Sequence, residues 1–338
     1  MHSVLLGNGL NRLSLTVDWV ELLERLASSL NVPHLTGGME QKPLSLFFEE
    51  LCAHHSGSAS RRSESVVKKK IASIVGTVGV TELHRRYVDL FNVILTTNYD
   101  DALEQAISGP LYERKPLIAE SRYSLFRRVR AGGKEVWHIH GEGASPESIV
   151  LGYDHYAGYL QKIRNYMTHG LPSRHKGLIV RSPVKAGVVD LEAWRWHRSW
   201  TDHFLRDHLH IVGLGFDFTE IDLWWLLLHK CRRKNVTGHT FFYDVILESQ
   251  MASLPRPELS VLRSLGVKVQ VIHAPSYKEG YLQVLEKIVA NKELYPALLE
   301  APQSRRSDMA NVGYDVSTEV VHPDPQLELP MRKKRKRR

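Results

Sequence analysis

An amide, an imidazole and two glycine-spaced turns are the features of this sequence best suited to chemistry. Asn98 stands in LTTNYDDALE, residues 95 to 104, where an apolar, β-branched run gives way to an amide, an aromatic and two acids. A carboxamide donates and accepts hydrogen bonds, so Asn98 can hold a water or a sugar hydroxyl. Its other possible work is to cap the following helix, but a cap needs one residue and Asp100 or Asp101 can supply it. His138 and His140 alternate along KEVWHIHG, on one face of a strand. His138 reads as a packed structural histidine. His140 ends the strand beside Gly141, where a ligand can come close, and a neutral imidazole there can act as a general base near physiological pH.

The glycine turns come at two other strand ends. Gly7-Asn8-Gly9-Leu10-Asn11-Arg12 follows SVLL, and glycines at a strand-to-helix turn let the backbone approach a pyrophosphate. Arg12 stands where the dinucleotide fingerprint has its third glycine, and an ordinary tight turn would use the same residues. VGLGFDFTEIDLWW, residues 212 to 225, places Gly213, Gly215, Phe216 and Asp217 at the second turn, with Asp222 further on. Acids there can accept hydrogen bonds from ribose hydroxyls. Asp222 also suits the first turn of a helix, where it compensates the dipole. Trp224 and Trp225 read as core.

Elements that can position these residues follow from the hydrophobic pattern. SVLLGNG, NVILTTN, KEVWHIHG, HLHIVGLG, TFFYDVI and VKVQVIHA are short and rich in β-branched or aromatic residues. Helix-length sequence separates most of them, and HYAGYLQKIRNYM and EIDLWWLLLHKCRRK are the clearest helices. Alternation of this kind predicts an α/β fold: a Rossmann-like parallel sheet with helices on both faces. Residues 10 to 90 carry helical patterning and read as an insertion between the first and second strands.

Bulk properties narrow the class. The 338 residues are 43% hydrophobic and 24% charged, ordinary globular values with ample length for a core. No stretch approaches the ~20 apolar residues of a membrane span, and the first residues lack a signal peptide's basic start, which predicts a cytoplasmic protein without membrane contact. The net charge of +8 is concentrated in RKKRKRR, residues 332 to 338, leaving about +1 elsewhere. That run reads as a disordered arm capable of non-specific contact with nucleic acid. Cys52 and Cys231, the two cysteines, read as small buried hydrophobes.

The order of the four strand ends resembles that of the sirtuin family, and most closely the sirtuin-like NAD-hydrolase domains of bacterial antiphage defence systems. LLGNGLNRLS, TTNYDDALE, HIHGE, LGYDHYAGYLQKIRNYM and HLHIVGLGFDFTEIDLWWLL carry the likeness, over about residues 3 to 290. It implies one sirtuin-like domain over 1–300, with mainly helical insertions at about 10–90 and 153–200, and a tail over 301–338. It implies that Asn98 and His140 are catalytic. Gly7, Asn8, Gly9, Asn11 and Arg12 would hold phosphates, Thr97, Asp100 and Gly141 would line the site, and Gly213, Gly215, Phe216 and Asp217 would hold the ADP-ribose half.

Departures from the deacylases of that family refine the expectation. Their four-cysteine zinc module cannot be built from two cysteines, and LSLTVDWVELL replaces their Gly-Ile-Pro-Asp-Phe-Arg segment. NAD+ is therefore expected as a substrate that is hydrolysed, with no metal, in antiphage defence by abortive infection. The alternatives are a module that binds NAD+ or ADP-ribose without turnover, and an NAD-dependent deacylase. Restraint of such an activity implies a homo-oligomer, or a trigger protein such as a DNA-translocase-type ATPase or an Argonaute-like protein.

Overall fold

A computed structural model describes residues 1–14, 19–37, 42–56, 61–110, 112, 123–172, 179–180, 182–189, 199–233, 238–250 and 256–296. The 301–338 tail, with its basic run, lies outside the described residues.

The chain opens with strand β1 (His2–Leu6) and then turns helical, through α1 (Trp19–Ser29), α2 (Leu44–Ser56), α3 (Arg61–Val75) and α4 (Glu82–Leu90). β2 (Val93–Thr96), α5 (Ala102–Ser108), β3 (Val129–Ala131), β4 (Lys134–His138) and α6 (Tyr153–His169) follow. Next come β5 (Leu171–Pro172), β6 (Ile179–Val180), β7 (Val184–Lys185) and β8 (Val188–Val189). The chain then runs through α7 (Trp200–Arg206), β9 (His208–Val212), α8 (Ile221–Cys231), β10 (Thr240–Leu247), α9 (Pro257–Ser264), β11 (Lys268–Ala274) and α10 (Tyr277–Leu294).

Seven strands form one sheet in the order β11-β10-β9-β1-β2-β4-β3. Six are parallel, and β3 pairs antiparallel with β4 at one edge. The parallel strands are the six read from the hydrophobic runs. Their order is the doubly wound one, and it reverses between β1 and β9, the position where such sheets open a crevice for ligands. β5 with β6 and β7 with β8 form two separate antiparallel pairs, so the described residues between α6 and Val189 carry short strands within the 153–200 stretch expected to be mainly helical.

Side-chain alternation divides the core between the faces. Leu5, Leu95, Trp137, Leu209, Ile211 and Phe242 point to one side, against apolar residues of α6, α7, α8 and α9. Val4, Leu6, Ile94, Val136, Val212 and Phe241 point to the other, against α4, α5 and α10. Strands buried on both faces need the near-continuous apolar runs seen here. A third core lies inside the insertion: Leu22, Leu23, Leu26 and Leu30 recur at helical spacing and pack with Phe47, Phe48, Leu51, Val67 and Ile71. Tyr99, Ile149 and Leu151 belong to that core too, so the insertion is anchored directly behind Asn98.

Register brings the strand ends into line. Leu6 pairs with both Thr96 and Val212, and Thr96 pairs with His138. The segments beyond these residues, carrying Gly7, Asn98, His140 and Gly213, therefore leave the sheet side by side.

Candidate active site at the strand ends

The two glycine turns meet at the centre of the row. Gly7 N–H donates to Val212 O at 2.9 Å and Gly9 N–H donates to Gly213 O at 2.7 Å. A Cβ on Gly7 would lie 2.5 Å from Gly213 O, and one on Gly9 would overlap the Tyr281 hydroxyl. Glycine is needed at both because the turns touch each other, whatever else approaches them. Gly215 differs: a Cβ there would meet nothing within 4 Å.

Asn98 lies beside this contact, 7% exposed. Its Nδ2 donates to Gly7 O at 3.3 Å, its backbone N–H donates to Thr96 Oγ1 at 3.0 Å, and its carbonyl accepts from His138 Nδ1 at 3.0 Å. Because Gly7 O can only accept, the amide nitrogen must face it. Asn98 Oδ1 then points elsewhere, with no hydrogen-bond partner among the described residues. Thr97 N–H donates to Leu6 O at 3.3 Å, extending the strand pairing by one step.

The two histidines of the third strand end have different partners. His138 Nε2 lies 2.7 Å from Glu104 Oε1, with neither side chain exposed. Its Nδ1 proton goes to the Asn98 carbonyl, so His138 fixes the backbone that carries Asn98. His140 Nε2 instead meets Asp222 Oδ2 at 2.9 Å, across from the first turn of α8. The Tyr156 and Tyr159 rings stand edge-on to the imidazole at 5.4 and 6.2 Å. Gly141, with φ 96°, turns the chain away and presses on the Ser148–Ile149 backbone.

A polar network braces the first turn. Asn11, 2% exposed, donates through Nδ2 to Asn8 Oδ1 at 3.0 Å and to Asp100 Oδ2 at 2.8 Å. Asn11 Oδ1 accepts from His84 Nε2 at 3.1 Å. His84 Nδ1 is itself an acceptor, taking the Thr81 N–H at 3.0 Å, so its tautomer is set by the cap of α4. Burial lowers the His84 pKa to about 4, which keeps that ring neutral. Asp100 Oδ1 accepts at 3.0 Å from the N–H of Ala102, the first residue of α5, while Asp101 occupies the N-cap position without a side-chain cap bond. Burial raises the Asp100 carboxyl, against the lowering effect of its donors Ala102 and Asn11.

Several residues expected at the nucleotide therefore spend their side chains on the protein. Asn11 and Asp100 are buried in the network just described, because a strand-end turn this tight leaves its polar groups no other partners. Phe216 is fully buried with φ 57°, its ring edge-on to Trp224 at 4.7 Å. Arg12 is exposed, and its guanidinium lies 5.6 Å from the Tyr277 ring centroid. Asp217 is exposed and caps its own loop, Oδ1 accepting from Thr219 N–H at 2.7 Å. Trp224 and Trp225 are partly buried against the first core. Cys52 is buried whereas Cys231, at the end of α8, is exposed. Sequence reasoning did not find the Asp222–His140 and Glu104–His138 pairs, which join residues 82 and 34 positions apart.

Among the described residues nothing hydrogen-bonds Asn98 Oδ1 or His140 Nδ1, which lie beside glycine turns at the switch point of a doubly wound sheet. Residues 92–258 match the family model of the SIR2-like domain. The chain carries a SIR2-like domain. The matched span takes in Asn98, His140, Gly213 and Asp222, while β1 and its glycine turn precede it. SIR2-like proteins are NAD-dependent enzymes, so this domain has an NAD-related function. No curated protein matches the chain. Among the described residues of the SIR2-like chain, no group of three or more His, Cys, Asp or Glu is arranged to hold a metal ion. Nor is any described helix long and apolar enough to cross a membrane.

Proposed function

We propose that this SIR2-like domain hydrolyses NAD+ to nicotinamide and ADP-ribose, depleting NAD+ in antiphage defence once triggered. The observation that carries the proposal is that Asn98 Oδ1 and His140 Nδ1, on adjacent strand ends, have no hydrogen-bond partner among the described residues. Nicotinamide departs as a neutral molecule from a charged pyridinium, so the reaction needs no acid to protonate it. It needs the ribose held, a water placed and a proton removed. Asn98 Oδ1 can accept from a ribose hydroxyl or the water, with its amide held rigid by Gly7 O. His140 Nδ1 can take the proton, a contribution typically worth ~10²–10⁴-fold. Fixing both groups on strand ends adds the advantage of positioning. Gly215 supports the same reading, because it is a glycine at a strand end that packing does not require.

Incubation with NAD+ and analysis of the products is the test. Equal amounts of nicotinamide and ADP-ribose are expected. Saturable binding without nicotinamide would replace hydrolysis by sensing, and product formed only with an acyl-lysine peptide would replace it by deacylation. Restraint of the activity is assigned to a homo-oligomer or to a trigger protein.

A further inference from the structure

His140 and Asp222 approach from opposite sides, one at the end of β4 and the other in the first turn of α8. Their side chains are 2% and 0% exposed. A carboxylate can only accept, so with Asp222 ionised the imidazole proton lies on Nε2 and Nδ1 is left as the base. Two features place the shared proton on the imidazole side of the Asp222–His140 hydrogen bond. Asp222 stands at a helix N-terminus, where the aligned backbone dipoles favour negative charge, and the imidazole is intrinsically the stronger base of the pair. Its other oxygen, Oδ1, is buried with no hydrogen-bond partner among the described residues. A buried carboxylate with so few donors is under-compensated. Its best compensation is an imidazolium at His140, the state reached once Nδ1 has taken a proton.

We propose that Asp222 is the positioning residue of the reaction, holding His140 in the Nε2–H tautomer and stabilising its protonated form. This rests on the hydrolase reading above. The other ionisable groups around the pair are Tyr99 beyond β2, Tyr156 and Tyr159 of α6, and Glu220 and Asp217 before α8. Burial and the nearby carboxylates push the Tyr99 and Tyr156 phenols up, so they stay neutral. Burial, then Asp222 and Asp217, push Glu220 up as well. Asp222 is the group among these that hydrogen-bonds the ring.

The test pairs kinetics with a direct view of the proton. Asp222→Asn should lower kcat for nicotinamide release by ~10²–10⁴-fold with little change in KM, as expected when an imidazole base loses its orienting carboxylate. The acidic limb of the residual pH profile should move to lower pH, because the variant removes the negative charge hydrogen-bonded to the imidazole base. Asp222→Ala should recover several-fold with added formate. A purely structural aspartate would give neither the shifted limb nor the recovery. Long-range ¹H–¹⁵N correlation on histidine-labelled protein should show His140 protonated on Nε2 in the wild type, the signal being assigned by its loss in His140→Gln. An Nδ1–H tautomer in the wild type, or an unshifted pH profile in Asp222→Asn, overturns the proposal. Should both variants fail to fold, the wild-type tautomer alone decides. A wild-type protein with the Nε2–H tautomer that releases no nicotinamide overturns the hydrolase reading, and leaves the pair a structural one.

Discussion

Histidines are buried at both ends of the central sheet, and their partners set them apart. Where the strands finish, His138 and His140 each meet a carboxylate, Glu104 and Asp222. Where β1 and β9 begin, the hydrogen-bond partners of His2 and His210 are neutral groups. His2 Nε2 must donate to the Tyr295 carbonyl, 2.7 Å away, so its Nδ1 accepts from His210 Nε2 at 2.9 Å. His210 Nδ1 then accepts from the Tyr243 hydroxyl at 2.9 Å, and that oxygen accepts from Asn291 Nδ2 at 2.9 Å. This directional chain ties α10 to three strands with every ring uncharged. Burial drives the His210 pKa down to about 2 and that of the adjacent His208 to about 4. One residue type thus does two jobs: at the strand ends its partners are carboxylates, while at the strand starts neutral partners and burial keep the rings uncharged.

The contrast can be broken first at the neutral end. His210→Ala removes a fully buried ring and leaves Tyr243 and His2 without it. It should cost about 3 kcal/mol in denaturant unfolding while nicotinamide release from the folded fraction stays near normal. A large kinetic loss with intact stability would mean that the two ends are not separable.

Acid gives the next largest effect. The folded pKa of His210 lies below the unfolded value of 6.5, so the unfolded chain takes up its proton first as pH falls. Stability is complete above about 6.5 and declines from there toward the folded value. Unfolding at pH 5 should therefore be easier than at pH 7.5 by about 2 kcal/mol from His210 alone. His208, His2 and His239, all shifted down chiefly by burial, act in the same direction. His210→Ala should lose part of this slope, and an unchanged slope would contradict the chain of neutral rings.

Gly215→Val gives the smallest effect and sharpens the reading of the other end. Its added side chain meets nothing within 4 Å, so the fold should be indifferent. If substrate backbone passes close to this turn, KM for NAD+ should rise about tenfold, a loss of roughly 1.4 kcal/mol. Unchanged KM would move the substrate away from the second glycine turn.

Much of this was legible in the sequence. All six parallel strands stand out as apolar runs, and because β9, β1, β2 and β4 finish in register, motifs read as separate strand ends fall into one row. The split of the helical stretch before β2 is written in Gly76, Gly79 and Thr81, although a histidine in the capping box escapes the usual Ser/Thr-x-x-Glu/Gln signature. The edge strand β3 is too short to show a period. Pairings between distant segments leave no local trace: Asp222 looks like any acid in a first helical turn, and Glu104 like any helical glutamate. The glycines were legible as turns, but the sequence does not say that Gly7 and Gly9 are required by Gly213 and Tyr281.

The central claim is that Asn98 and His140 act together on one bond, and the most direct measurement is nicotinamide release by Asn98→Ala, His140→Ala and the double variant. Each single variant should lose ~10²–10⁴-fold in kcat in its folded fraction, with His140→Ala also less stable because it leaves the buried Asp222 carboxylate without its partner. The double variant should be scarcely worse than either single one, since groups serving one transition state are strongly non-additive. Near-normal release from folded His140→Ala, or fully additive losses in the double variant, would contradict the account.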